Sequence, residues 1–168
     1  MYNKSMPNNS VSKHRLYQTR FSFGATSAII TILGLITGLD TLTRPTLSII
    51  AGILVIALAD NIADSLGIHV YQESEGLSNK EVWRSTSTNF LTRLFVSFTF
   101  ILLLAALPMP LAVACSIIWG LTLLAVISYT IAKGRGVNPY VAVLEHVGIA
   151  ILVIIGSHMV GGWLIRRF

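Results

Sequence analysis

Cysteine and charge are what this 168-residue chain has least of: one cysteine, and Asp, Glu, Lys and Arg together at 11%. Cys115 stands inside an apolar run, which excludes a disulfide framework and a thiolate metal cluster and reads as packing. So little charge, beside 54% hydrophobic residues and a mean hydropathy of +0.73, excludes a soluble domain and leaves a polytopic membrane protein. Acidic residues are scarcer than basic ones, seven against twelve, giving a formal charge of +5. No basic stripe with interleaved aromatics accompanies that excess, so nucleic acid is not the expected partner. Internal repeats and low-complexity segments are also lacking, which points to one domain.

What is present is long apolar stretches of about the 20 residues a spanning helix needs. Five such spans are expected, at about 21–39, 46–70, 90–107, 111–132 and 140–165. Residues 1–20 form a basic, flexible tail at the cytoplasmic face, followed by a five-helix transmembrane domain over 21–168. An organellar transit peptide is the weaker reading of that tail, because Pro7 interrupts it and it lacks an amphipathic helix. No small-residue cleavage site follows the first apolar run, so that run is expected to be a retained span. "DTLTRP" separates spans one and two, and "PMP" (Pro108 to Pro110) leaves room only for a tight helical hairpin. "KGRGVNP" ends span four with glycines and opens span five with a proline. Ser78 and Glu81 of "SNKE" match a capping box at the start of a short helix feeding span three.

Orientation follows from the Lys and Arg count. With the N-terminus inside, Lys4, Lys13, Arg15, Arg20, Lys80, Arg84, Arg93, Lys133 and Arg135 are cytoplasmic, against Arg44, Arg166 and Arg167 outside. That bias favours N-in and C-out.

The chemistry concentrates in span two, in "IALADNIADSLGIHVYQESE". At 100° per residue Asp60, Asp64, Gly67, Tyr71 and Glu75 share a stripe roughly 80° wide, with Asn61 at its flank. Asp60 and Asp64 lie one turn apart, about 6 Å, so one cation could sit between them. Asp60 falls about 20 Å below the outer end of its span, in the inner half of the bilayer. An ionised carboxylate there costs roughly 2.5–3.5 kcal/mol or more, and two together should share a proton unless a cation joins them. Metal arrival would then release protons, the basis of a proton-exchanging cation site. Two carboxylates and an amide suit hard or borderline divalent ions better than copper(I).

Span one offers a complementary face of small residues, with Gly34 and Gly38 forming a G-x-x-x-G. This face is expected to pack on span two or on its copy in a dimer, and Ser27 and Thr31 could lend hydroxyl oxygens to the cation. Glu75, at the cytoplasmic mouth, would collect ions by its charge. His69 stands about 140° from Asp64 around the helix and is expected to be interfacial. Glu145 and His146 could relay protons or anchor span five; His158 and Met159 read as helix packing. Trp83, Trp119 and Trp163 fit aromatic belts near span ends.

Five spans with ligands on the second resemble the vacuolar iron transporter family of Fe²⁺/Mn²⁺ transporters. The likeness is carried by "ITILGLITG" (Ile30 to Gly38), "SLGIHVYQESE" (Ser65 to Glu75) and "AKGRGVNPYVAVLEHVGIAILVIIGSHMVGGWL" (Ala132 to Leu164). It implies homodimers with the ion path between protomers and proton-coupled export from the cytoplasm. It also implies a multi-pass protein of the plasma or inner membrane in a prokaryote, or of an organelle in a eukaryote. The chain departs from that family at Ser27, where members usually have an aspartate. It departs again at Ile56 and Asp64, where they have a glutamate and a methionine. A further departure is the second connection of about twenty residues, where they often have a longer acidic domain. Losing the thioether and gaining Asp60 and Asp64 argues for a harder ion than Fe²⁺, such as Mn²⁺.

The expected function is therefore a divalent-cation transporter and not an enzyme. Its metal ligands are Asp60, Asp64, Asn61, Ser27 and Glu75, with no tightly bound cofactor. The competing readings are a non-transporting scaffold whose polar stripe fastens a dimer, and an intramembrane lipid phosphotransferase using D-x-x-x-D. The last needs acidic and glycine residues upstream of the pair, and residues 49–59 supply only Gly52.

Overall fold

The computed structural model describes residues 9–41 and 45–167, with side chains from Gly24 onward. Lys4 of the expected tail and Arg44 of the first connection lie outside the described residues. Five helical rods make up the rest. They are α1 (Asn9–Leu39), α2 (Pro45–Ser74), α3 (Asn79–Ala106), α4 (Met109–Arg135) and α5 (Pro139–Arg167). The helix of α1 is described from Asn9, earlier than the expected start of span one at residue 21.

α2 to α5 are each long and apolar enough to cross a membrane. In α1 the stretch with described side chains, Gly24–Leu39, is apolar as well. α1 packs against all four other helices. Ala25, Ala28, Ile29, Ile32, Leu33 and Ile36, spaced at three and four, are all buried. Ile49 and Ile53 of α2, Phe100 and Leu104 of α3, Leu124 of α4 and Ala150 of α5 complete the core around them. α5 lies at the opposite extreme, with 6% of its apolar window buried.

Helix ends follow the local sequence. Pro45 and Pro139 occupy first helical positions, where a missing amide proton costs nothing. Asn138 Oδ1 accepts the Tyr140 amide at 3.0 Å, capping α5. Gly136 closes α4 at φ 71°, and the Val137 amide reaches back to the Ala132 carbonyl at 3.1 Å. Gly76 closes α2 the same way, with Leu77 N–H on the Gln72 carbonyl at 3.2 Å. α3 stops at Ala106 and α4 starts at Met109, giving the tight hairpin expected of Pro108 to Pro110. The capping box is altered: Ser78 and Glu81 bond each other side chain to side chain at 2.8 Å, and Ser78 makes no side-chain cap.

Two departures from regularity matter for the site. α2 contains a π segment at Ile56–Asp60, so the uniform 100° step used on the sequence fails upstream of Asp60. The Gly34/Gly38 motif packs on α5 of the same chain and not on span two. Gly34 faces Val153 and Ser157, Gly38 faces Ser157, and Gly161 abuts the Gly38 carbonyl. Lipid offers no hydrophobic drive for helices to associate, so such backbone approach supplies the van der Waals contact that holds α5 to α1.

A β-carbon at Gly161 would overlap the Gly38 carbonyl oxygen, whereas one at Gly156 meets nothing within 4 Å. Gly161→Ala should therefore lower the unfolding temperature in detergent, by an amount corresponding to about 1–3 kcal/mol. Gly156→Ala should leave that temperature unchanged or raise it, since alanine is the better helix former. Equal behaviour of the two variants would remove the α1–α5 contact as a stabilising element.

Candidate functional site

Asp60 lies at the middle of the thirty-residue α2, about 22 Å from Pro45 at 1.5 Å per residue. It is thus at the middle of its helix. Asp60 and Asp64 do point to one place, and that place is filled by a side chain. Arg93 Nη2 donates to Asp60 Oδ2, and Arg93 Nη1 donates to Asp64 Oδ2 and, at 2.6 Å, to the Ser27 hydroxyl. Ser27 Oγ in turn donates to Asp64 Oδ2 at 3.3 Å. One guanidinium from α3 thus bridges both acids of α2 and a hydroxyl of α1.

This corrects the placing of Arg93 among the loop cations. Its side chain is 1% exposed, and removing it from the cytoplasmic count leaves eight basic residues against three. The carboxylates stand on the open side of the guanidinium, with Asp60 45% and Asp64 33% exposed. α1 comes close enough for this because of Gly24: a β-carbon there would lie 2.6 Å from Asn89 Oδ1 and 3.3 Å from Arg93 Cγ.

The triad ends a polar seam between α2 and α3. Moving from the α2 C-terminus, Gln72 Nε2 donates to Ser85 Oγ at 2.6 Å, and His69 Nδ1 pairs with Thr86 Oγ1 at 3.0 Å. Asn89 Nδ2 then donates to Ser65 Oγ at 3.0 Å, and Asn61 Nδ2 to the Phe90 carbonyl at 3.0 Å. The residues rise on one helix as they fall on the other, as two antiparallel rods require. Inside an apolar environment each of these bonds replaces contacts that water would otherwise give. Asn61 Oδ1, Gln72 Oε1, Asn89 Oδ1 and Arg93 Nε are buried along this seam without a hydrogen-bond partner.

The five residues expected at one site separate accordingly. Asp60, Asp64 and Ser27 come together on Arg93. Asn61 is buried beside them but turned to the Phe90 carbonyl, so it joins the seam rather than the acid pair. Glu75 caps the end of α2, exposed and about 16 Å along the helix from Asp64. No group of three or more His, Cys, Asp and Glu side chains suited to a metal ion occurs among the described residues. His69 is held apart from the acids, by Thr86, by Glu73 at 3.4 Å and edge-on to Trp83, in keeping with its expected separation. His146 contacts Ser128 at 2.8 Å while Glu145 is exposed, and His158 stands 3.6 Å from Asp40 across α1 and α5.

The residues missed on the sequence carry a readable signal. Ser85, Asn89, Arg93 and Ser97 recur every fourth position, and all four are buried. A polar stripe on an apolar helix marks the side that faces protein.

Comparison with family models, with curated proteins and with solved structures finds no match.

Removing the guanidinium alone leaves two carboxylates without their counter-ion, while removing all three charges leaves none. Arg93→Met should cost about 1.5–3 kcal/mol of stability, the range for hydrogen bonds to charged groups, because the acids are partly exposed. The triple variant Asp60→Asn, Asp64→Asn, Arg93→Met should lose less than that single change. Thermal unfolding followed by circular dichroism in detergent measures both, and a triple variant weaker than Arg93→Met would show that charge balance is not what the triad provides.

Proposed function

We propose that the chain is a proton-coupled transporter of divalent cations of the Fe²⁺/Mn²⁺ type, exporting them from the cytoplasm. In this reading all five helices span the membrane with the N-terminus inside, and two copies form the working unit. Asp60 and Asp64 supply the carboxylate ligands, with the Ser27 hydroxyl beside them.

The observation that carries the proposal is the exposure of two carboxylates at mid-depth of an apolar helix. Acid groups facing lipid are costly, so this side of α2 needs a second protomer or a water-filled path in front of it. A cation moving along such a path meets two carboxylates first, ahead of the guanidinium behind them. The resemblance to vacuolar iron transporters described above suggests the same class of cargo, and Arg93 stands as a residue that likeness did not anticipate.

Arg93 itself supports a second reading, in which the triad is a permanent fastener between α1, α2 and α3 and nothing is transported. A bidentate guanidinium completes the acid pair without any outside ion. Flux separates the two readings. In proteoliposomes loaded with a metal-sensitive dye, the wild-type chain should move Mn²⁺ or Fe²⁺ with protons moving the opposite way. Asp60→Asn and Asp64→Asn should each reduce that flux at least about tenfold, the loss expected when a charged ligand goes, while the protein stays monodisperse. Absence of wild-type flux for every divalent ion tried would leave the fastener.

A further inference from the structure

We propose that Arg93 is the resident counter-ion of the acid pair and sets both the affinity and the charge preference of the site. The reading of the pair as a cargo site under "Proposed function" gives this its use, but the binding claim stands on the triad alone.

The argument is one of charge and access. Two carboxylates and one guanidinium carry a formal charge of −1. A divalent ion arriving at the acids therefore meets a single net negative charge and a fixed positive group directly behind it. Without the guanidinium the same ion would meet two negative charges. Electrostatic interactions over such short distances are strong where water is scarce, so the arginine weakens divalent binding whether it stays in place or is pushed aside.

Its attachment is suited to displacement. Arg93 is held by Asp60, Asp64 and Ser27 through its terminal nitrogens, and its Nε is buried with no partner. Each of the two ion pairs uses the Oδ2 oxygen of its aspartate, and both acids are partly exposed while the guanidinium is buried. An ion can therefore engage the carboxylates from the open side without first passing Arg93. Once a metal takes over the acids, what remains for the guanidinium is the Ser27 hydroxyl.

The test is Mn²⁺ binding to the full chain in detergent at neutral pH, titrated with MnCl₂ by calorimetry and by loss of the free-Mn²⁺ paramagnetic signal. Arg93→Gln should bind Mn²⁺ at least about tenfold more tightly than wild type, because a repelling unit charge has gone. Arg93→Lys, which keeps the charge and loses the planar fork, should stay near the wild-type affinity. Adding Asp60→Asn and Asp64→Asn to Arg93→Gln should abolish the gain. A folded Arg93→Gln chain that binds Mn²⁺ no more tightly than wild type would overturn the proposal. Should Arg93→Gln aggregate, purification in MnCl₂ should recover monodisperse protein, since the metal then supplies the missing counter-charge; failure to recover it would overturn the proposal equally. Tight binding by Arg93→Gln with no wild-type flux keeps this inference and removes transport. Wild-type flux with no gain in Arg93→Gln does the reverse.

Discussion

A guanidinium buried among apolar helices is costly without counter-charges beside it, so its acids must come to it. That constraint organises the bundle. Arg93 fixes α3 against the middle of α2, where Asp60 and Asp64 lie, and Ser27 ties α1 to the same point. The seam of Ser65, Asn89, Asn61, His69, Thr86, Gln72 and Ser85 extends the register toward the end of α2. In lipid such polar contacts have no competing water, and they define position more sharply than apolar side chains of similar size can.

Around that anchor the packing is built from small residues. Gly24 admits Asn89 and Arg93, Gly120 admits Leu33, and Gly34, Gly38 and Gly161 bring α1 and α5 together. The two kinds of contact divide the work: polar groups join α2 and α3, and backbone proximity joins α1 and α5. α1 takes part in both, which is why so much of it is buried while α5 remains largely open to lipid.

Much of this architecture was legible in the residues. Apolar length located the rods, and proline and glycine placed their ends, because those residues act locally on the backbone. Asp60 and Asp64 were correctly placed on one face, since α2 is a regular α-helix from Asn61 onward. Three features were not legible. The π segment has no proline or other local cause, and we have no physical account of it. The partner of Gly34 and Gly38 depended on which helix lies beside α1, which sequence spacing does not specify. Arg93 was assigned to a loop because it stands near the start of an apolar run. The four-residue spacing from Ser85 through Asn89 to Ser97 carries the signal that it lies inside, but only once the helix is known to start at Asn79. Exposure of the acid pair emerged only with the whole bundle, because it reflects what α1, α3, α4 and α5 leave uncovered.

The seam also bears on how the chain is made. During synthesis α2 leaves the ribosome before α3, carrying Asp60, Asn61 and Asp64 with nothing to pair them. Release of α2 alone into lipid would strand two acids in hydrocarbon, and release of α3 alone would strand Arg93. Pairing α2 with α3 gives all three charges their partners, so the hairpin of the two helices is less costly in lipid than either helix alone. Gly76 and Leu77, the turn that folds α3 back on α2, are thus what lets the acids and their arginine meet within one short stretch of chain.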